Sequence, residues 1–85
     1  RLTNTERAAF AELERQKGNE CFRCGENQEA INCYSKSIAY DGQNAIVYSN
    51  RAMAAIRLSY MEQALADTTM ALELDPTCTK ARARR

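Results

Sequence analysis

The 85-residue chain contains no histidine, one proline and three glycines. It also has no glycine-rich phosphate loop and no paired-carboxylate pattern beyond acids at ordinary helix-surface spacing. These absences remove the usual parts of a catalytic site, so the expectation is a chain that is not an enzyme and carries no cofactor. No run of about eighteen apolar residues exists to span a bilayer, and the start lacks the apolar core of a signal peptide. No membrane partner is expected. With 45% hydrophobic and 27% charged residues, the composition fits one small globular domain. A domain of this size buries only about 60 to 65% of its unfolded surface, which leaves little room for a deep cleft.

Cysteine is present, but not in a metal-binding pattern. Cys21 and Cys24 form one C-x-x-C pair, whereas Cys33 and Cys78 are not spaced as a second. A structural zinc site needs four ligands, so no metal is expected. A redox role is equally unsupported. Low-pKa thiols sit at helix N-termini, while this pair falls in a last helical turn before Gly25, where the negative end of the helix dipole disfavours thiolate. Four unpaired thiols suit the reducing cytoplasm.

Charge is unevenly distributed. Lys80, Arg82, Arg84 and Arg85 carry four positive charges, which leaves −3 on residues 1–79 out of a total of +1. The patch is short, and no aromatic is interleaved with it for base stacking, so nucleic acid is not an expected partner.

What the chain does have is an internal repeat. Laid over itself at an offset of thirty-four residues, it pairs Gly18 with Ala52, Ala30 with Ala64, Ser37 with Ala71, Ile38 with Leu72 and Gly42 with Pro76. Three of those pairs hold a small residue in both copies. Where two helices cross closely, a larger side chain would force the axes apart, so the pairs read as packing constraints.

In order along the chain, Thr3-Asn4-Thr5-Glu6 has the form of a capping box opening a helix. Its apolar positions are Ala8, Phe10 or Ala11, Leu13, Gly18, Cys21 and Phe22, and Gly25 ends it in a left-handed cap. Asn27 is the expected cap of a second helix, with Ala30, Ile31, Cys33 or Tyr34, Ser37 and Ile38 inward and an end at Asp41-Gly42. Asn44 opens the second copy, with Val47, Tyr48, Arg51, Ala52, Ala55 and Ile56 inward and an end near Ser59. Ser59 stands where Gly25 stands in the first copy, so a less tight turn is expected there. A fourth helix runs from Met61 or Glu62 to about Leu74, with Ala64, Leu65, Thr68, Ala71 and Leu72 inward, and Asp75-Pro76 closes it. Thr77 or Thr79 is expected to cap a fifth helix, which reaches barely two turns by Arg85 and is expected to be the least ordered part.

This pattern resembles the tetratricopeptide repeat family, whose unit is a thirty-four-residue pair of antiparallel helices. The resemblance implies an all-α solenoid of two repeats plus the first helix of a third. Residues 1–10 would extend the first helix, 11–44 and 45–78 would be the repeats, and 79–85 would start a third repeat or a capping helix. Departures occur at Cys21, where a large aromatic is usual, at Asn27 and Met61, where tyrosine is usual, and at Gly42, where proline is usual.

Within the family, Lys17-Gly18-Asn19, Tyr48-Ser49-Asn50-Arg51-Ala52 and Lys80-Ala81-Arg82-Ala83-Arg84 are similar to the members that bind the extreme C-termini of cytosolic heat-shock protein 90 and heat-shock protein 70, which end in Glu-Glu-Val-Asp. The opening Glu14-Arg15-Gln16-Lys17-Gly18-Asn19-Glu20 is most similar to members that recruit chaperones to assemble large complexes. Carried over by position, the family's two-carboxylate clamp falls on Arg15, Asn19, Asn50, Lys80 and Arg84. Arg15 stands where lysine is more usual and would offer a planar fork in place of a point charge. Phe22, Met53 and Ile56 would form a pocket for an apolar side chain of the tail, unless they serve only as core. The residues agree with this mapping: Arg15 and Asn19 are four apart, as are Lys80 and Arg84, so each pair shares a helix face.

The implied function is a non-enzymatic, monomeric co-chaperone adaptor. The competing reading is a structural scaffold that packs on an internal helix or a neighbouring domain and is indifferent to a free carboxylate.

Overall fold

The computed structural model describes residues 1–78. Four helices follow one another: α1 (Asn4–Arg23), α2 (Asn27–Tyr40), α3 (Ala45–Arg57) and α4 (Met61–Leu74). Each packs on the next, and α1 also touches α3. The result is a row of antiparallel helix pairs in which α1 and α3 form one layer and α2 and α4 the other. The fifth helix, its expected cap at Thr79 and its order lie outside the described residues, whereas Thr77, the other expected cap, lies within them and its hydroxyl donates to Asp75 Oδ1 at 2.7 Å.

Local chemistry sets the helix ends. Thr3 caps α1 in a complete capping box, its hydroxyl accepting from the Glu6 N–H at 3.1 Å while its own N–H donates to the Glu6 carboxylate at 2.8 Å. Asn44 caps α3 by accepting from Ile46 N at 3.0 Å. Both copies then close alike, since the Asp41 and Asp75 carboxylates accept from backbone N–H groups two residues on, at Gln43 and Thr77.

Asn27 does not cap α2. It is the first helical residue, Glu26 occupies the cap without a side-chain bond, and Asn27 Oδ1 is buried with no partner among the described residues. The cause is the turn. Gly25, at φ 80°, sends its N–H to Phe22 O, and Glu26 sends its N–H to Cys21 O at 2.9 Å, while the Glu26 carbonyl already accepts from Ala30 N. One residue thus ends α1 and begins α2. The second turn repeats this bond for bond. Ser59 N–H donates to Ile56 O, Tyr60 N–H donates to Ala55 O at 2.8 Å, and the Tyr60 carbonyl accepts from Ala64 N. The turn at Ser59 is therefore as tight as the first, and the serine is held at φ 62° to make it so.

The core consists of small residues around one large ring. Ala30, Ala52, Ala54, Ala55 and Ala71 are fully buried, and so is Tyr34. A Cβ built on Gly18 would stand 2.6 Å from two carbons of the Tyr34 ring. The ring therefore fills the space glycine leaves open. The second copy holds Ala52 and Thr68 at the equivalent positions, one larger and one smaller. Between the pairs, Arg51 forks onto the buried Asp67 carboxylate at 2.9 and 2.7 Å and donates to Ser35 Oγ at 3.1 Å, tying α3 to both α4 and α2.

Several expected inward residues point out, and of the alternatives Phe10 and Ala11 it is Ala11 that is buried. Leu13 is 53% exposed, Leu65 is 63% exposed, and Phe10 stacks on Tyr40 at the surface with ring centroids 5.5 Å apart. Ala8 is exposed as well. The inner stripe of α1 instead runs through Ala11, Glu14, Gly18 and Cys21, with a carboxylate at a core-facing position.

Candidate functional site

The α1–α3 layer brings two amides together. Asn19 is one position past Gly18, whose missing side chain lets α1 sit close to α2. Asn50 is on the buried side of α3, 7% exposed, and its Nδ2 donates to Asn19 Oδ1 at 3.3 Å. The same oxygen accepts from the Tyr34 hydroxyl at 2.7 Å. An amide oxygen has two acceptor sites, and both are taken, so the Asn19 Nδ2 is left as the donor end of the side chain. The orientation of Asn19 is thereby set from below, by a tyrosine on the neighbouring helix.

Tyr34 remains a neutral donor over a wide pH range. Burial pushes its phenol up to about 12, against a smaller lowering effect of the nearby Arg15 charge. Arg15 itself stands one turn before Asn19 on α1. Arg15 is already engaged. Its Nε donates to Glu12 Oε1 at 2.9 Å and its Nη2 to Glu12 Oε2, a fork between residues one turn apart. Hydrogen bonding from Arg15, and then from Gln16, holds the Glu12 carboxyl down to about 2, so Glu12 is charged at neutral pH.

One turn further along, Phe22 and Arg57 meet across the same boundary. The Arg57 guanidinium lies over the Phe22 ring, 3.8 Å from its centroid, and donates to Phe22 O at 3.3 Å. Phe22 also packs on the cluster around Tyr34, Ile56 packs on the separate cluster of Ala52, Ala55 and Ala64, and Met53 is half-buried. Of the eight residues drawn from the sequence, then, Asn19 and Asn50 touch, Arg15 stands one turn before Asn19 and is engaged with Glu12, and Phe22, Met53 and Ile56 lie toward the C-terminal ends of the same two helices. Lys80 and Arg84 lie outside the described residues.

Three participants escaped the sequence reading. The sequence pattern offers Tyr34 only as an alternative to Cys33 on the inner stripe, yet its hydroxyl orients Asn19. Arg57 carries a charge over Phe22. Glu12 occupies the fork of Arg15, and the three-residue spacing of Glu12 and Arg15 was the visible signal for it.

The thiols fit none of these contacts. All four cysteines are free. Burial raises the Cys21 pKa, with Cys33 adding to the effect, which agrees in direction with the reading that thiolate is disfavoured there. Among the described residues no helix is long and apolar enough to cross a membrane.

Comparison with known proteins places this geometry among relatives. The family profile described as TPR repeat matches residues 18–58. Sperm-associated antigen 1 of Mus musculus is 44% identical over 84 residues, covering 99% of this chain and 9% of that protein. The solved second TPR of Spaghetti (RPAP3) bound to HSP90 peptide SRMEEVD is 43% identical, with a TM-score of 0.87, covering 89% of this chain and 70% of that one. The second TPR domain of human RPAP3 in complex with HSP70 peptide SGPTIEEVD is 40% identical, with a TM-score of 0.84, covering 98% and 67%. The chain spans between 9% and 13% of the length of the first curated relatives it matches.

Proposed function

The chain belongs to the tetratricopeptide-repeat family, and on that premise we propose that it captures the C-terminal Glu-Glu-Val-Asp tail of heat-shock protein 90 or heat-shock protein 70 through a two-carboxylate clamp. In this reading it is a non-enzymatic, monomeric, cytoplasmic adaptor that brings a chaperone to a client or an assembly complex. Its repeats are 11–44 and 45–78, with 79–85 opening a third. The observation that carries the proposal is the contact between Asn19 and Asn50, with Asn19 turned donor-outward by Tyr34.

A terminal aspartate presents two carboxylates, one from the main chain and one from its side chain. Asn19 and Asn50 supply neutral donors that fix the orientation, and Arg15, Lys80 and Arg84 supply the charge. Charge-assisted hydrogen bonds contribute about 1.5 to 3 kcal/mol each. Two or three of them contribute much of the about 8 kcal/mol that micromolar binding represents, with burial of the tail's apolar side chain offsetting the cost of ordering it. Phe22, Met53 and Ile56 accept the apolar residue next to the terminus. Relatives solved with tails of this kind support the assignment.

The test is calorimetric titration of the chain with a peptide ending in Met-Glu-Glu-Val-Asp, beside the same peptide amidated at its C-terminus. Micromolar binding of the free acid, lost on amidation, is the expected result. Equal binding of both peptides, or of neither, overturns it.

One observation favours the scaffold reading. Tyr60, which caps α4, and Met61 and Leu65 within it are all at least 48% exposed, a face suited to packing on another element. A scaffold of that kind binds without regard to a free carboxylate and with little dependence on salt.

A further inference from the structure

We propose that Arg57 is a specificity-determining residue of the tail groove, pairing with an acidic side chain two or three residues before the terminal carboxylate. The inference rests on the clamp reading above and adds a second point at which the tail is read.

Arg57 differs from the cations near it on α1 and α3 in having no carboxylate partner of its own among the described residues. On α1 and α3, Arg15 pairs with Glu12, Arg23 with Glu20 and Arg51 with Asp67. Among the described residues no carboxylate pairs with Arg57, which is exposed. It is nonetheless held in place. The Phe22 ring backs one face of the guanidinium at 3.8 Å, and Nη1 donates to Phe22 O. A guanidinium stacked on a ring keeps the donors along its edge free for a carboxylate, and it loses little freedom when that bond forms.

The spacing suits an extended peptide. Phe22 is three residues past Asn19, and Arg57 is seven past Asn50, which returns to the same face of α3. With a rise of 1.5 Å per residue and side chains leaning toward the helix N-terminus, the guanidinium stands roughly 5 to 10 Å along the groove from the amide pair. An extended chain advances about 3.3 Å per residue, so a tail anchored at Asn19 and Asn50 brings its second or third residue upstream to Arg57. The peptides bound by the two solved relatives both carry glutamate at those two positions.

The experiment is a double-mutant cycle by calorimetry on the 85-residue chain. Wild type and Arg57→Gln are each titrated with Ser-Arg-Met-Glu-Glu-Val-Asp and with the two peptides in which one glutamate is replaced by glutamine, and thermal unfolding checks both proteins. Wild type is expected to bind one of the glutamine peptides about three- to ten-fold more weakly. Arg57→Gln should lose the same factor against the parent peptide and no longer distinguish it from that glutamine peptide. Arg57→Lys, which keeps charge but not the stacked fork, should recover part of the discrimination. The inference is overturned if Arg57→Gln discriminates glutamate from glutamine as well as wild type does while dependence on the free terminal carboxylate persists. Loss of that dependence in wild type overturns the clamp reading itself, and this inference with it.

Discussion

Replacing Gly18 by alanine opposes two effects of similar size, and the structure decides between them. In an exposed helix interior, glycine to alanine stabilises by about 0.5 to 1 kcal/mol, because glycine has more chain entropy to lose. Here the added Cβ would lie 2.6 Å from Cδ1 and Cε1 of Tyr34 and 3.1 Å from Cζ. Ordinary van der Waals contact begins at about 3.4 Å, so the ring or the helix must move by most of an ångström. Tyr34 is 1% exposed and has nowhere to go. Overpacking of this kind costs about 1 to 3 kcal/mol, which outweighs the gain in propensity. Gly18→Ala should therefore lower stability by about 1 to 2 kcal/mol, or Tm by about 5 to 15 °C for a domain of this size. Urea and thermal unfolding followed by circular dichroism measure it. The control is the Tyr34→Thr background, which copies the Ala52 and Thr68 arrangement of the second repeat. There Gly18→Ala should be neutral or stabilising. A stabilising effect in wild type, or the same effect in both backgrounds, refutes the claim that this close approach is what requires glycine.

Four further predictions follow from particular contacts. Glu12→Gln releases the Arg15 fork and removes a charge that repels an acidic tail, so tail affinity in calorimetry should rise about two- to five-fold; a loss of affinity would mean that Glu12 positions Arg15 for binding. Asp67→Ala strands the Arg51 guanidinium, only 18% exposed, and should cost about 3 to 5 kcal/mol by urea unfolding, whereas a loss under 1 kcal/mol would show that the Ser35 contact suffices. Ser59→Gly relieves a left-handed residue, a gain of about 1 to 2 kcal/mol partly offset by greater unfolded-chain freedom, so Tm should rise by a few degrees, and a fall would contradict the strain assigned to Ser59. Because the Tyr34 phenol is raised to about 12 in the folded chain against about 10 ordinarily, its contribution to stability is whole below pH 10 and is lost as pH rises through 12. Unfolding of Tyr34→Phe should accordingly fall off less steeply than wild type over that range, and parallel curves would refute it.

The helices were legible because their ends carry local chemistry. Thr3 with Glu6, Gly25, Asn44 and Asp75-Pro76 each dictate backbone geometry within a few residues. The thirty-four-residue offset did the rest, since small residues recurring at one spacing mark close helix crossings. What escaped the sequence was orientation at single positions. Leu13 and Leu65 are as apolar as any core residue, and nothing in their identity says that the stripe passes beside them. Glu14, a carboxylate, occupies the inward position on α1. Asn27 looked like a cap because asparagine commonly is one, but a turn in which Glu26 serves both helices leaves that role to the backbone.

The site shows the same division. Asn19 and Asn50 were found by resemblance, and they do meet. Their register depends on Tyr34, whose hydroxyl could not be distinguished from its ring by an apolar pattern. Arg57 over Phe22 joins residues thirty-five apart on different helices, a contact only the fold creates.

Binding of a tail carboxylate at the Asn19 and Asn50 amides is read out by nuclear magnetic resonance of the side-chain amide groups during titration with the free-acid and amidated Met-Glu-Glu-Val-Asp peptides. The Nδ2 resonances of Asn19 and Asn50, with Arg15 Nε, should shift with the free acid and stay in place with the amide. Shifts confined to Tyr60, Met61 and Leu65 at the start of α4, or identical for the two peptides, would refute binding at these amides.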